Sequence, residues 1–261
     1  MNFSILPPEK SSFGHIVVSP DGQWLAFTAA TGSKVQLWVR ALASSDAKPL
    51  EGTEGATFPF WSPDSRFIGF FAGGKLKKVE VSGGLPATLC DTGVGTGGTW
   101  NREGMILFSS LAGRGVLRVP AGGGVPVNIF PADPKRREAN PHAPSFLPNG
   151  QHFLYVVSSG DKEVRGIYVG SLDGSVRQRL LADPSSAIYA PSGSGGGYLL
   201  FKREEALMAQ AFDVKALRLS SEPVTVAVRV GHVLGSATIY RHQNVSVSDN
   251  GLLVFDPLPD R

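Results

Sequence analysis

One short unit appears twice in this chain at a spacing of 43 residues: Ser19-Pro20-Asp21-Gly22 and Ser62-Pro63-Asp64-Ser65. Apolar runs flank each copy, Ile16-Val17-Val18 before and Trp24-Leu25-Ala26-Phe27 after the first, and Phe58-Pro59-Phe60-Trp61 before and Phe67-Ile68-Gly69-Phe70-Phe71 after the second. Apolar and aromatic runs on either side of a proline-aspartate breaker read as strand, tight turn, strand. A repeat of roughly forty residues holding four strand-like runs is an array of four-stranded sheets, which predicts a β-propeller.

Carrying the unit along the chain gives blades over residues 13–52, 56–92, 96–131, 140–183, 186–231 and 240–261, a single all-β domain over 1–261. The expected fold is therefore a six-bladed propeller of antiparallel four-stranded blades. Its sixth blade is either incomplete or closed by the strand-like run at residues 3–6. The third copy departs from the pattern, with Arg102-Glu103-Gly104 placing Glu103 where the turn aspartate stands; the fourth has Pro148-Asn149-Gly150 and the last Asp249-Asn250-Gly251. Asp21, Asp64, Asn149 and Asn250 are expected to be structural, because such side chains accept hydrogen bonds from the backbone of their own turn. The fifth copy loses the motif, and Val224 to Val230 is expected to form its outer strand. Gly93 to Gly98 reads as the crossover between the second and third blades. No segment holds a helical period, so almost no α-helix is expected.

Composition narrows the function more by exclusion. With 25 Lys and Arg against 22 Asp and Glu, the net charge of +3 is too mild to imply nucleic-acid binding. There is no apolar run of about 18 residues to span a bilayer, and the first ten residues lack the basic start and apolar region of a signal peptide. Cys90 is the only cysteine, which excludes an intrachain disulfide and a cysteine-built metal site. Gly69 to Lys75 has the glycine and lysine spacing of a phosphate-binding loop. However, Leu76 replaces the hydroxyl that would meet magnesium, and the segment lies between two strands instead of opening a helix. Gly170-Ser171-Leu172-Asp173-Gly174 is a turn and not a nucleophile elbow, since its serine directly follows the glycine. No catalytic set and no cofactor are implied.

One constellation has the makings of a site. Loops leading into the inner strands of successive blades converge at one mouth of a propeller's channel. His15, His142, Tyr189, Arg241 and His242 occupy comparable positions there, with Phe58 and Gly97. Such groups can bind a carboxylate, a sugar, a peptide end or a metal. A different class of reading makes the same histidines, His15, His142 and His242, the metal ligands of a hydrolase or lyase. An incomplete last blade would also leave a strand edge able to recruit a second copy of the chain.

The repeats resemble WD40-like repeats of the TolB type, on the strength of Ser19-Pro20-Asp21-Gly22-Gln23-Trp24-Leu25-Ala26-Phe27 and Ser62-Pro63-Asp64-Ser65. A narrower resemblance rests on Pro59 to Phe71, Gly97-Gly98-Thr99-Trp100-Asn101, Phe146-Leu147-Pro148-Asn149-Gly150, Gly166 to Leu172 and Leu207-Met208-Ala209-Gln210. These phrases are similar to the propeller region of bacterial receptor-type serine/threonine kinases, in which a cytoplasmic kinase and a membrane span precede TolB-like repeats outside the membrane. The resemblance implies a non-catalytic, extracytoplasmic sensor or interaction domain that meets a peptide, protein or small ligand. It carries no kinase motif with it. A TolB-like periplasmic scaffold is the alternative of the same class.

Overall fold

The computed structural model describes residues 7–8, 11–32, 34–138, 140–193, 196–234 and 241–258. The run at 3–6, expected to help close the ring, lies outside the described residues. Blade one is β1 (Ser11–Val18), β2 (Trp24–Thr31), β3 (Lys34–Ala41) and β4 (Ala47–Pro49), joined in that order. Blade two is β5 (Thr57–Trp61), β6 (Phe67–Ala72), β7 (Lys75–Glu80) and β8 (Ala87–Asp91). Blade three is β9 (Gly95–Trp100), β10 (Met105–Ser110), β11 (Gly115–Pro120) and β12 (Val127–Pro131). Blade four is β13 (Pro141–Phe146), β14 (His152–Val157), β15 (Gly166–Ser171) and β16 (Arg177–Leu181). Blade five has β17 (Ala187–Pro191), β18 (Gly197–Arg203), β19 (Ala206–Asp213), β20 (Arg218–Leu219) and β21 (Val224–Ala227). Two hairpins follow: β22 (His232–Leu234) with β23 (Arg241–Gln243), and β24 (Val245–Val247) with β25 (Leu253–Phe255). All these pairings are antiparallel, and the helical content of the described residues is one 3₁₀ turn at Pro134–Arg136.

Why the second strand of each blade carries apolar residues on both of its faces follows from the packing. Successive side chains of a strand point to opposite faces, and in these blades both faces meet a neighbouring sheet. Phe70 packs toward blade one with Trp61, Ile68, Leu37 and Val39, while Phe71 packs toward blade three with Ile106, Phe108 and Val119. Leu107 and Val116 of blade three meet Phe153 and Tyr155 of blade four, and Leu154 and Val169 of blade four meet Leu199 and Phe201 of blade five. The β24–β25 hairpin fills the space between blades five and one. Val245, with Val247, Leu253 and Phe255, packs on Leu200 and Leu207, and Leu252 with Val254 packs on Leu25 and Phe27. The sheets thus form a closed ring of five blades and a two-stranded wedge.

Three details differ from the sequence reading. The glycine-rich crossover is largely β9 itself, because the glycines seat aromatic rings instead of forming a loop. The outer strand expected at Val224 to Val230 forms over Val224–Ala227 as β21, and an unexpected short strand, β20, pairs with β19 ahead of it. Asp213 accepts hydrogen bonds from the Lys215 and Ala216 amides at 2.8 and 2.9 Å, which turns the chain back early and forms β20. Finally, the β22–β23 hairpin has no counterpart among the expected elements.

Candidate functional site

The inner strands β1, β5, β9, β13, β17 and β24 surround a central cavity of about 560 Å³. Each inner strand except β17 ends in a turn whose side chains hold it closed. The Ser19 hydroxyl donates to Asp21 and accepts from the Trp24 amide at 2.9 Å, and Ser62 does the same with Asp64 and the Phe67 amide at 2.9 Å. Asn149 accepts from the His152 amide at 3.0 Å, and Ser248 donates to Asn250. In blade three the buried Asn101 carries this role, taking the Met105 amide on Oδ1 at 2.8 Å and donating from Nδ2 to Gly150 O at 3.0 Å. Glu103, which stands at the aspartate's place in the repeat, instead lines the cavity.

The cavity opens at this turn mouth. Its walls combine short polar side chains with aromatic faces: Thr99, Ser145 and Ser246 beside Phe60, Trp61, Trp100 and Tyr189. Several of these groups tie neighbouring sheets together. Ser246 accepts from the Val18 amide at 3.0 Å, Thr99 from the Phe146 amide at 3.2 Å, and the Trp61 indole donates to Val17 O at 3.1 Å. Pro20, Pro63 and Pro148 occupy equivalent turn positions around the mouth. The corresponding residues in the other two turns are Arg102 and Asp249, whose side chains meet at 3.4 Å and so span the mouth from blade three to the closing hairpin. Burial raises the Tyr189 phenol above its ordinary value, so the phenol stays protonated and can serve as a donor or an acceptor.

The residues singled out in the sequence do not gather at one place. Tyr189 lines the cavity, whereas His15 and His142 do not. Counting back four residues from each turn residue aligns His15 with Phe58, Gly97, Ala143 and Asn244, so His142 lies one position away from His15. His142 is 5% exposed, and its Nδ1 donates to Asn140 O at 2.8 Å. The His15 ring lies 4.2 Å from that of Phe58, and its buried Nε2 has no hydrogen-bond partner. Burial pushes both imidazoles down to about 4, which leaves them neutral at physiological pH. Arg241 and His242 belong to β23, but their side chains lie outside what the structure describes. Among the described residues no three His, Cys, Asp or Glu side chains gather as a metal-binding group would require. Arg102 and Asp249 escaped notice in the sequence, although a signal was present: they replace proline at the same position of the repeat.

No protein-family model matches the chain, and no curated protein is similar to it in sequence. Among solved structures, a putative TolB from Agrobacterium tumefaciens superposes with a TM-score of 0.66 at 15% identity, over 95% of this chain and 91% of that one. TolB from Acinetobacter baumannii gives 0.61 at 14% identity over 81% of this chain and 55% of that chain. An oligogalacturonate lyase in complex with manganese gives 0.64 at 14% identity over 97% and 73%. At these identities the shared property is the propeller fold. No helix among the described residues is long and apolar enough to cross a membrane.

Proposed function

We propose that this chain is a non-catalytic binding propeller of the TolB-like kind, six-bladed with β24 and β25 as an abbreviated last blade, that receives a peptide, protein segment or small ligand at its turn mouth. The observation that carries this reading is the cavity itself. It has aromatic walls for apolar contact, a few placed hydroxyls for orientation, and one exposed ion pair across the opening, which is the make-up of a recognition pocket. The family phrases noted in the sequence support the role of sensor or interaction domain in a bacterial receptor-type serine/threonine kinase, working on the extracytoplasmic side. A ligand carboxylate would compete with Asp249 for Arg102, and this exchange gives binding a route to the closing hairpin.

The test uses the two cavity-lining tryptophans, Trp61 and Trp100, as fluorescent reporters while pools of acetylated hexapeptides and a panel of sugar acids are titrated into the protein. At least one pool should produce a saturable change that Tyr189→Ala weakens. The reading fails if no pool changes the signal at millimolar concentration and deletion of this region leaves the parent protein's responses intact.

A further inference from the structure

A second cavity of about 420 Å³ lies beside the central one, between the turns of blades two and three. Pro63, Phe67 and Trp100 form its walls, and Asp64 and Arg102 stand at its rim. The Phe67 and Trp100 rings are 6.3 Å apart at 33°, in contact with each other, so they present one continuous aromatic wall against which a further ring can pack. Two polar side chains that contribute to the lining are already satisfied. Ser62 is bonded to Asp64 and the Phe67 amide, and Asn101 to the Met105 amide and Gly150 O. A ligand's polar end must therefore be met at the rim.

The charges decide what that end is. An aromatic pair alone would suit a cation, yet cations already sit on these rings. The Lys78 ammonium lies 5.2 Å from the Phe67 centroid and 5.9 Å from that of Trp100, fixed by donation to Ala121 O at 2.8 Å. The Arg66 guanidinium lies 5.7 Å from the Phe67 centroid. Arg102 at the rim and Arg66 and Lys78 on the aromatic wall thus stand against two carboxylates, that of Asp64 and that of Asp249, which pairs with Arg102, so the balance around the pocket is positive. The Arg102 side chain is 79% exposed and held by one long contact to Asp249 at 3.4 Å, so its planar fork can turn to a ligand carboxylate. We propose that this side pocket is a binding site for an aromatic carboxylate, with the ring packed against Phe67 and Trp100 and the carboxylate on Arg102; the C-terminal aromatic residue of a peptide has this chemistry. Pro63, Trp100, Asn101 and Arg102 line both cavities, so a carboxylate bound in the central cavity would compete with this one for Arg102.

The probe is N-acetyl-4-fluorophenylalanine, followed by ¹⁹F NMR on the full chain and compared with its amide. The carboxylate should bind saturably and the amide about fivefold more weakly, the size expected for one exposed charge-assisted contact. Arg102→Gln should remove that difference. Phe67→Ala should weaken both forms, and Phe67→Leu, which keeps the apolar volume but loses the ring, guards against a loss that is only unfolding. Tyr189→Ala should leave binding unchanged. The proposal is overturned if acid and amide bind alike, if neither binds at millimolar concentration, or if Tyr189→Ala abolishes binding while Phe67→Ala spares it. The last outcome would place the probe in the central cavity and leave the proposed function standing.

Discussion

Two histidines show what one position in a repeat decides. His15 and His142 look equivalent by eye, and the turn hydrogen bonds reveal them to be one residue apart. Strand positions one residue apart face opposite ways, so spacing alone could not say whether the two would meet. Their burial has a measurable consequence. Both fall to about 4 from an ordinary 6.5 because desolvation penalises the imidazolium. Well above pH 6.5 the rings are neutral in the folded and unfolded chain alike, and their burial carries no ionisation penalty. Between 6.5 and about 4 only the unfolded chain takes up the protons, so stability falls with pH across that window, by on the order of 2–3 kcal/mol per histidine. Asp256 acts in the opposite sense, since burial raises its pKa. Thermal melts from pH 7.5 to 4.5 should show a falling midpoint, and His142→Gln should flatten the slope. A slope unchanged in that variant would show that His142 is not among the groups that titrate on unfolding.

Elements form here because each apolar run is short and each break carries its own hydrogen-bonding side chain. The blades are legible for that reason: Asp21 and Asp64 mark their turns openly, and each accepts the amide two residues on, from Gln23 and from Arg66. Blade three was harder to read, since Asn101 performs the serine's task and Glu103 is free of the aspartate's. The glycines of β9 read as a crossover because a crossover and a ring seat look the same in sequence. A Cβ added at Gly98 would fall inside contact distance of the Phe60 ring, and one at Gly95 would meet the Phe71 ring. Both rings come from blade two, so bare backbone in β9 lets the two blades approach. Gly98→Ala should therefore cost roughly 1–3 kcal/mol by overpacking. It would be read as a lower urea midpoint with an unchanged slope. Phe60→Leu introduced into the same protein should recover part of the loss, because the two positions share one contact and their effects are not additive.

The molecule as a whole closes through its least complete part. Blades one to five are joined to their neighbours by broad apolar faces, whereas β24 and β25 bring only two strands of three residues each to the seam with blade one. Polar contacts reinforce that seam. Asn244, 3% exposed, accepts the Ile16 amide at 2.9 Å and donates to Gly14 O at 2.8 Å. Ser246 takes the Val18 amide, the Asp249 amide donates to Pro20 O at 2.8 Å, and Asn250 Nδ2 donates to Asp21 O at 3.1 Å. Nothing in the sequence flagged Asn244, because a lone asparagine before a strand resembles any turn residue until the partner 228 positions away is known. Asn244→Ala would strand a buried amide and a partly buried carbonyl at once, so it should cost roughly 2–4 kcal/mol, while Ser246→Ala, which strands one group, should cost about half as much. The location of the loss distinguishes a closing seam from ordinary turn stability. A ring that opens at this seam exposes the Ile16 and Val18 amides before the rest of blade one, so hydrogen exchange at those two amides should accelerate in Asn244→Ala far more than at Phe27 or Leu37. Uniform acceleration across blade one would mean that the hairpin does not act as the latch and that the ring is held by its apolar faces alone.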